Sequence, residues 1–193
     1  MKYSNPEHYP GSKHISQYRD VMVQQRPEAF RLIESLAISN NVDQIIEIGT
    51  FHGGLALYLA DRDICDIHTF DITDHNPSLP KNDRLSRYFI DSFSKECKDF
   101  IKTLAEGKNT LWLFDGGDKK REVQYYSDIV KSEEIVMVHD FAPNPNEFGY
   151  LLQNNIWLWH ESDDSAFNFE LFEKHEDFEN MWKTCVWGVC VKK

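Results

Sequence analysis

The sequence predicts an α/β fold, a mostly parallel sheet of six or seven strands with helices on both faces and an antiparallel strand at the C-terminus. Three observations carry that prediction. Short apolar runs of strand type alternate with helical periodicities at βαβ spacing. The first of these runs opens through a glycine-bearing turn, EIGTFHGG at 47–54, straight into a helix. Several of the runs close on an acid. At 193 residues the chain suits a single domain spanning 1–193, with a core large enough to need no disulfide or metal support.

The elements follow in order. Residues 12–26 read as a first helix, and Pro27 then starts a second in which Phe30, Ile33, Leu36 and Ala37 recur at helical spacing until Ser39-Asn40-Asn41 stops it. Residues 1–40 thus form an N-terminal helical segment. QIIEIG (44–49) is a β-branched strand, and the helix after the glycine turn carries Leu55, Leu57, Tyr58 and Leu59. IHTFD (67–71) and RYFID (87–91) are the second and third strands. A helix over 94–105 leads through Gly107 to TLWLFD (110–115), whose bulky apolar residues predict burial on both faces. Residues 119–131 read as helix and EIVMVHD (134–140) as another buried strand. The tail, with NIWLWHES (155–162), an acidic aromatic stretch and then TCVWGVCVKK (184–193), suggests two final strands.

Charge and composition exclude several functions. With 32 acidic against 21 basic residues the net charge is −11, spread along the chain, and a diffuse acidic surface repels nucleic-acid backbones. No apolar run approaches the roughly 20 residues that cross a bilayer. The N-terminus lacks the basic and apolar regions of a signal peptide, and the four cysteines show no C-x-x-C spacing. A cytoplasmic protein with a small-molecule partner, no nucleic acid and no membrane is expected, and a homo-oligomer is left open.

In an open α/β sheet the ligand lies beyond the carboxyl ends of the strands. Asp71, Asp91, Asp115 and Asp140 all fall at predicted strand ends, with Glu47 near the end of the first. One such acid can merely cap a helix or shape a turn, whereas five in register point to a site. The glycine spacing of EIGTFHGG matches neither G-x-G-x-x-G nor a P-loop, and an acidic pocket suits a cationic or neutral nucleoside better than a pyrophosphate.

Taken together, E-x-G-x-x-x-G-G after the first strand, the acid ending the second, D-G-G-D ending the fourth and V-H-D ending the fifth resemble the class I S-adenosylmethionine-dependent methyltransferases. IIEIGTFHGG, LWLFDGGDKKREVQYYSDIV and IVMVHDF narrow the resemblance, over about 20–150, to the branch containing the cephalosporin hydroxylase family and the macrocin-type and catechol-type O-methyltransferases. It implies a Rossmann-like methyltransferase fold and S-adenosyl-L-methionine as cofactor. Gly49 and Gly53, with Thr50 in the same turn, would admit the methionine part, Glu47 would lie near its amino group, Asp71 would hold the ribose hydroxyls, and Asp91 and Ser92 would meet the adenine.

In metal-using members the acids matching Asp115 and Asp140 bind a divalent cation, Mg2+ or a similar ion, that acidifies the substrate hydroxyl. Where relatives commonly place a histidine, this chain has Asp118, so Asp115, Asp118 and His139 stand as catalytic candidates. His139 also admits a purely packed reading. Trp157, Trp159, Trp182 and Trp187 either pack the last strands or wall a substrate pocket. The leading expectation is O-methylation of a small hydroxylated molecule, a sugar or secondary metabolite, with metal assistance. A cofactor-binding enzyme of different chemistry and a non-catalytic binding protein share the same fold and remain alternatives.

Overall fold

Strands Gln44–Ile48 and Thr110–Phe114 are buried at every position, which only a sheet covered on both faces permits. The computed structural model describes residues 5–193. It begins with three short strands, β1 (Glu7–His8), β2 (Ser16–Tyr18) and β3 (Val21–Val23), which pair antiparallel as a small sheet of their own. The chain continues through α1 (Pro27–Ser39), β4 (Gln44–Ile48), α2 (Gly54–Asp61), β5 (Asp66–Asp71), β6 (Leu85–Phe89) and α3 (Lys95–Ala105). Then come β7 (Thr110–Phe114), α4 (Lys119–Tyr126), β8 (Ile135–Val138), α5 (Pro145–Gln153), β9 (Phe172–Lys174), α6 (Phe178–Cys185) and β10 (Gly188–Lys192).

The main sheet has seven strands in the order β6-β5-β4-β7-β8-β10-β9. The first five are parallel, and β10 runs antiparallel between β8 and β9. Register places the site. Ile48 sits opposite Phe70 on one side and Phe114 on the other, and Phe114 opposite Val138. The residues that follow, Gly49, Asp71, Asp115 and His139, therefore emerge side by side at the carboxyl edge.

Packing explains the helices. In α1, Pro27 occupies the first turn, and Ala29, Phe30, Ile33, Leu36 and Ala37 form the buried stripe. It packs on both α2 and α6. On β7, Trp112 and Phe114 stack against Tyr126 of α4, while alternation turns Leu111 and Leu113 to the opposite face. Ser94 caps α3 and Asp118 caps α4 through their side chains. Among the described residues no helix is long and apolar enough to cross a membrane, and all four cysteines are free.

Several sequence expectations are corrected. Residues 12–26 are not a helix but the hairpin of β2 and β3: Ser16, Tyr18, Val21 and Val23 alternate inward, and Arg19 and Asp20 both take positive φ, the two-residue turn geometry that suits a hairpin. The N-terminal segment is thus strand before it is helix, and its first four residues lie outside those described. Residues 155–162 form no strand. Trp157 and Ser162 are buried while Leu158 and Trp159 stay exposed, and only Ser162 bridges to Phe141. The strand expected there is supplied by 172–174, and in the last segment 184–185 finish α6 before β10 begins. The third strand lies at 85–89 rather than 87–91, and the helix from 119 ends at Tyr126.

One buried acid ties β7 to β8. Glu134, 3% exposed, accepts from Trp112 Nε1 at 2.9 Å and from the Thr110 amide at 3.1 Å. Glu134→Ala would strand both donors in the core, and the expected loss is about 2–4 kcal/mol in urea denaturation. Glu134→Gln, which keeps an acceptor, is expected to lose less.

Candidate active site

The turn after β4 is shaped by contact with β7. Gly49 has φ +96°, and a Cβ there would lie 2.4 Å from the Asp115 carbonyl oxygen and 2.6 Å from the Gly116 nitrogen. Only glycine lets the two strand ends touch. Asp71 then fastens the turn from the other side: its Oδ2 accepts from the amides of Thr50 (3.0 Å) and Phe51 (2.9 Å), and its Oδ1 from Thr73 (3.2 Å). Gly53, also at positive φ, caps α2.

Beneath the turn Glu47 is buried and accepts from the Thr69 hydroxyl, which meets Thr50 Oγ1 at 2.6 Å. Burial pushes its carboxyl up to about 8, against the opposing Thr69 hydrogen bond and with the help of Asp115 and Asp71. The group is therefore mostly protonated near neutral pH until a cation approaches.

At the ends of β7 and β8 every carboxylate oxygen has a donor. Asp115 Oδ2 accepts from Gln25 Nε2 at 2.6 Å, and its Oδ1 meets His139 Nδ1 at 2.9 Å. Asp140 Oδ1 accepts from Trp157 Nε1 at 2.6 Å, and its Oδ2 pairs with Lys119 Nζ at 3.0 Å. Trp187 Nε1 in turn donates to Gln25 Oε1 at 2.8 Å. Asp140 holds a positive φ of 52°, a strained backbone of the kind found at functional sites.

The charges within this group reinforce one another. Burial opposes the charge on Lys119, but Asp115 and Asp140 outweigh it and lift its pKa above the ordinary lysine value. The same balance raises His139, where burial is overcome by Asp115 and Asp140. Asp140 is held below the usual carboxylate range because His139 and Lys119 overcome its burial. The His139 ring lies between Trp157 and Trp187, and its buried Nε2 has no hydrogen-bond partner.

Two adjoining cavities open at this edge and share Gly49, Phe51 and Asp115. The inner one, about 170 Å³, is lined by Glu47, Lys119, His139 and Asp140 and roofed by Met22 to Gln25 of the N-terminal hairpin. The outer one, about 380 Å³, is lined by Asp71, Asp91, Ser92, Phe93 and Asp118. There Asp91 is exposed and accepts from the Phe93 amide at 2.9 Å, while the Ser92 carbonyl accepts from Tyr126 Oη.

Glu47, Gly49, Thr50, Gly53, Asp115, His139 and Asp140 thus gather around the inner cavity, and Asp71, Asp91 and Ser92 around the outer. Asp118 stands apart from the inner group: it is exposed, and its Oδ1 accepts from the Arg121 amide as the cap of α4. Sequence reasoning missed Gln25, Lys119 and Glu161. Gln25 lay in a segment read as helix. Lys119 had a visible signal, a lysine four residues after Asp115 at a helix start, and Glu161 had none. Of the four tryptophans after β8, Trp157, Trp182 and Trp187 are buried, and two of them orient the site acids.

Gly49→Ala is expected to destabilise the chain by about 2–4 kcal/mol in thermal or urea unfolding, since both the φ and the backbone contact oppose a methyl. Glu47 provides a pH signature. Between its ordinary value of 4.5 and about 8 the folded state binds more protons than the unfolded one, so its contribution to stability declines as pH rises through that window. The melting temperature of Glu47→Gln relative to the native chain is therefore expected to increase from pH 5 to pH 8, and a constant difference would refute the buried-acid assignment.

No protein-family model matches the chain, and a sequence search of curated proteins finds no relative. Solved structures do match in three dimensions. An apo structure of CmcI superposes with a TM-score of 0.67 at 12% identity, covering 91% of this chain and 75% of that one. CmcI with Mg and SAM gives 0.64 at 14% identity, covering 92% and 76%. The O-methyltransferase TomG from Streptomyces achromogenes, involved in tomaymycin synthesis and determined with SAM, gives 0.51 at 14% identity, covering 91% and 83%. Likeness at such identities establishes the fold: the chain carries the Rossmann-like fold of the S-adenosylmethionine-dependent O-methyltransferases.

Proposed function

We propose that this protein is an S-adenosylmethionine-dependent methyltransferase acting on a hydroxyl of a small molecule. The observation that carries the reading is the paired cavity joined at Gly49 and Asp115, one half suited to a nucleoside and the other to a charged amino acid end. In the outer half Asp71 lies where ribose hydroxyls would reach it, and Asp91, Ser92 and Phe93 would border the base. In the inner half Glu47 and the turn of Gly49 to Gly53 would surround the methionine end, whose ammonium would favour the ionised form of Glu47. The fold shared with SAM-bound structures supports the same cofactor.

The chemistry is an in-line displacement, so positioning dominates. The acceptor hydroxyl gives its proton to a base as its oxygen attacks the methyl carbon. The carbon–sulfur bond breaks with its electron pair going to sulfur, and a methyl ether and S-adenosylhomocysteine result. His139 is the residue suited to accept that proton: Nδ1 is held by Asp115, which leaves the buried Nε2 without a hydrogen-bond partner, and the flanking aspartates favour the protonated ring that results. Asp118 is assigned no part in the proton transfer because it caps α4. Asp115, His139 and Asp140 lie close enough together to ligate an ion, yet the four carboxylate oxygens already hold donors from the chain, so no step is routed through a metal.

Calorimetry with S-adenosylmethionine and S-adenosylhomocysteine tests the reading, and binding of neither would end it. Asp71→Ala is expected to weaken cofactor binding at least tenfold, about 1.4 kcal/mol. His139→Ala is expected to retain cofactor binding while turnover falls by roughly two orders of magnitude or more, the scale of a lost general base.

A further inference from the structure

The inner cavity contains a cation of its own. Lys119 Nζ lies 2.6 Å from Glu161 Oε2, 3.0 Å from Asp140 Oδ2 and 3.7 Å from Asp115 Oδ1, and it donates to the Gly116 carbonyl at 3.0 Å. The side chain is 5% exposed. Its place is set by the backbone, because Lys119 is the first residue of α4 and follows the Asp118 cap.

A divalent ion here would need carboxylate oxygens at about 2.0–2.6 Å. Those oxygens face inward to Gln25, His139, Trp157 and Lys119. An ammonium 3.0 Å from Asp140 leaves no room between the two aspartates for a second cation without displacing the lysine, and displacement would strip a buried charge of its partners. We propose that Lys119 is the resident cation of this centre, occupying the position between Asp115 and Asp140 that a divalent metal would require, so that the site works without one. CmcI, determined with Mg and SAM, shares the fold; in this chain the positive charge comes from the first turn of α4. Lys119 is accordingly a positioning residue, holding the two aspartates in register beside His139 through its ammonium. The claim about metal stands on the geometry of the cluster, and only its bearing on turnover rests on the methyltransferase reading.

The test uses the full chain, stripped with chelator and titrated with Mn2+ or Mg2+ alone, without cofactor, so that its outcome is separate from that of the cofactor titration. Calorimetry and thermal melting of the native chain are expected to show no saturable uptake at the cluster in the millimolar range. Lys119→Met leaves the carboxylates without their cation and is expected to take up Mn2+ with a rise in melting temperature, as a ligand specific to the folded state must produce. Saturable Mn2+ binding by the native chain that disappears in Asp140→Asn would overturn the proposal. So would a folded Lys119→Met that takes up no metal. Binding that survives Asp140→Asn belongs elsewhere, as at the group of half-buried His175 with Glu176 and Asp177, and leaves the proposal standing. If Lys119→Met does not fold, the comparison of the native chain with Asp140→Asn decides.

Discussion

The site depends on a backbone contact, the end of β4 against the end of β7, where the Asp115 amide donates to the Ile48 carbonyl at 2.8 Å beside Gly49. A methyl group at Gly49 would meet the Asp115 carbonyl at 2.4 Å, so the absence of a side chain there lets the two strands stay in register to their last residues. Register then does the rest. Asp71 emerges level with the turn and bonds its amides, and His139 emerges level with Asp115. The cleft is thus a consequence of parallel pairing carried to the strand ends, where successive residues leave the sheet side by side.

Around that contact the polar groups form two short relays from tryptophan to acid. One runs from Trp187 through Gln25 to Asp115 and His139; the other from Trp157 to Asp140 and Lys119. Both begin in the apolar core, where an indole N–H without a partner would be costly. Core packing and site geometry are therefore coupled: the rings that fill the space under β10 also fix the orientation of the acids. In a low-dielectric surrounding such a network is rigid because each member loses several partners if it turns.

The legible part of the site was the part carried by consecutive residues. EIGTFHGG, the aspartates ending β5 and β7, and VHD at the end of β8 each sit on one strand and its turn, so local pattern and position along the sheet sufficed to find them. Gln25 escaped because the alternation of Ser16, Tyr18, Val21 and Val23 was masked by a stretch that also reads as helix, and two residues at positive φ turn the hairpin. The strand expected at 155–162 failed for a related reason: aromatic and apolar residues promise burial, but only Trp157 finds a place in the core. The short β9 has too few residues to announce itself and exists because β10 offers an edge.

By itself the sequence determined the α/β class, the five parallel strands and the identity of most residues at the carboxyl edge, because hydrophobic period and turn chemistry are local properties. Tertiary structure decided what those residues face. The hairpin folds over the cavity and delivers Gln25, the loop after α5 brings Glu161, and α4 swings Lys119 between two aspartates 4 and 21 residues away in the chain. Charge compensation among buried groups depends on distances of a few ångströms between remote segments, and no spacing along one chain encodes those distances directly.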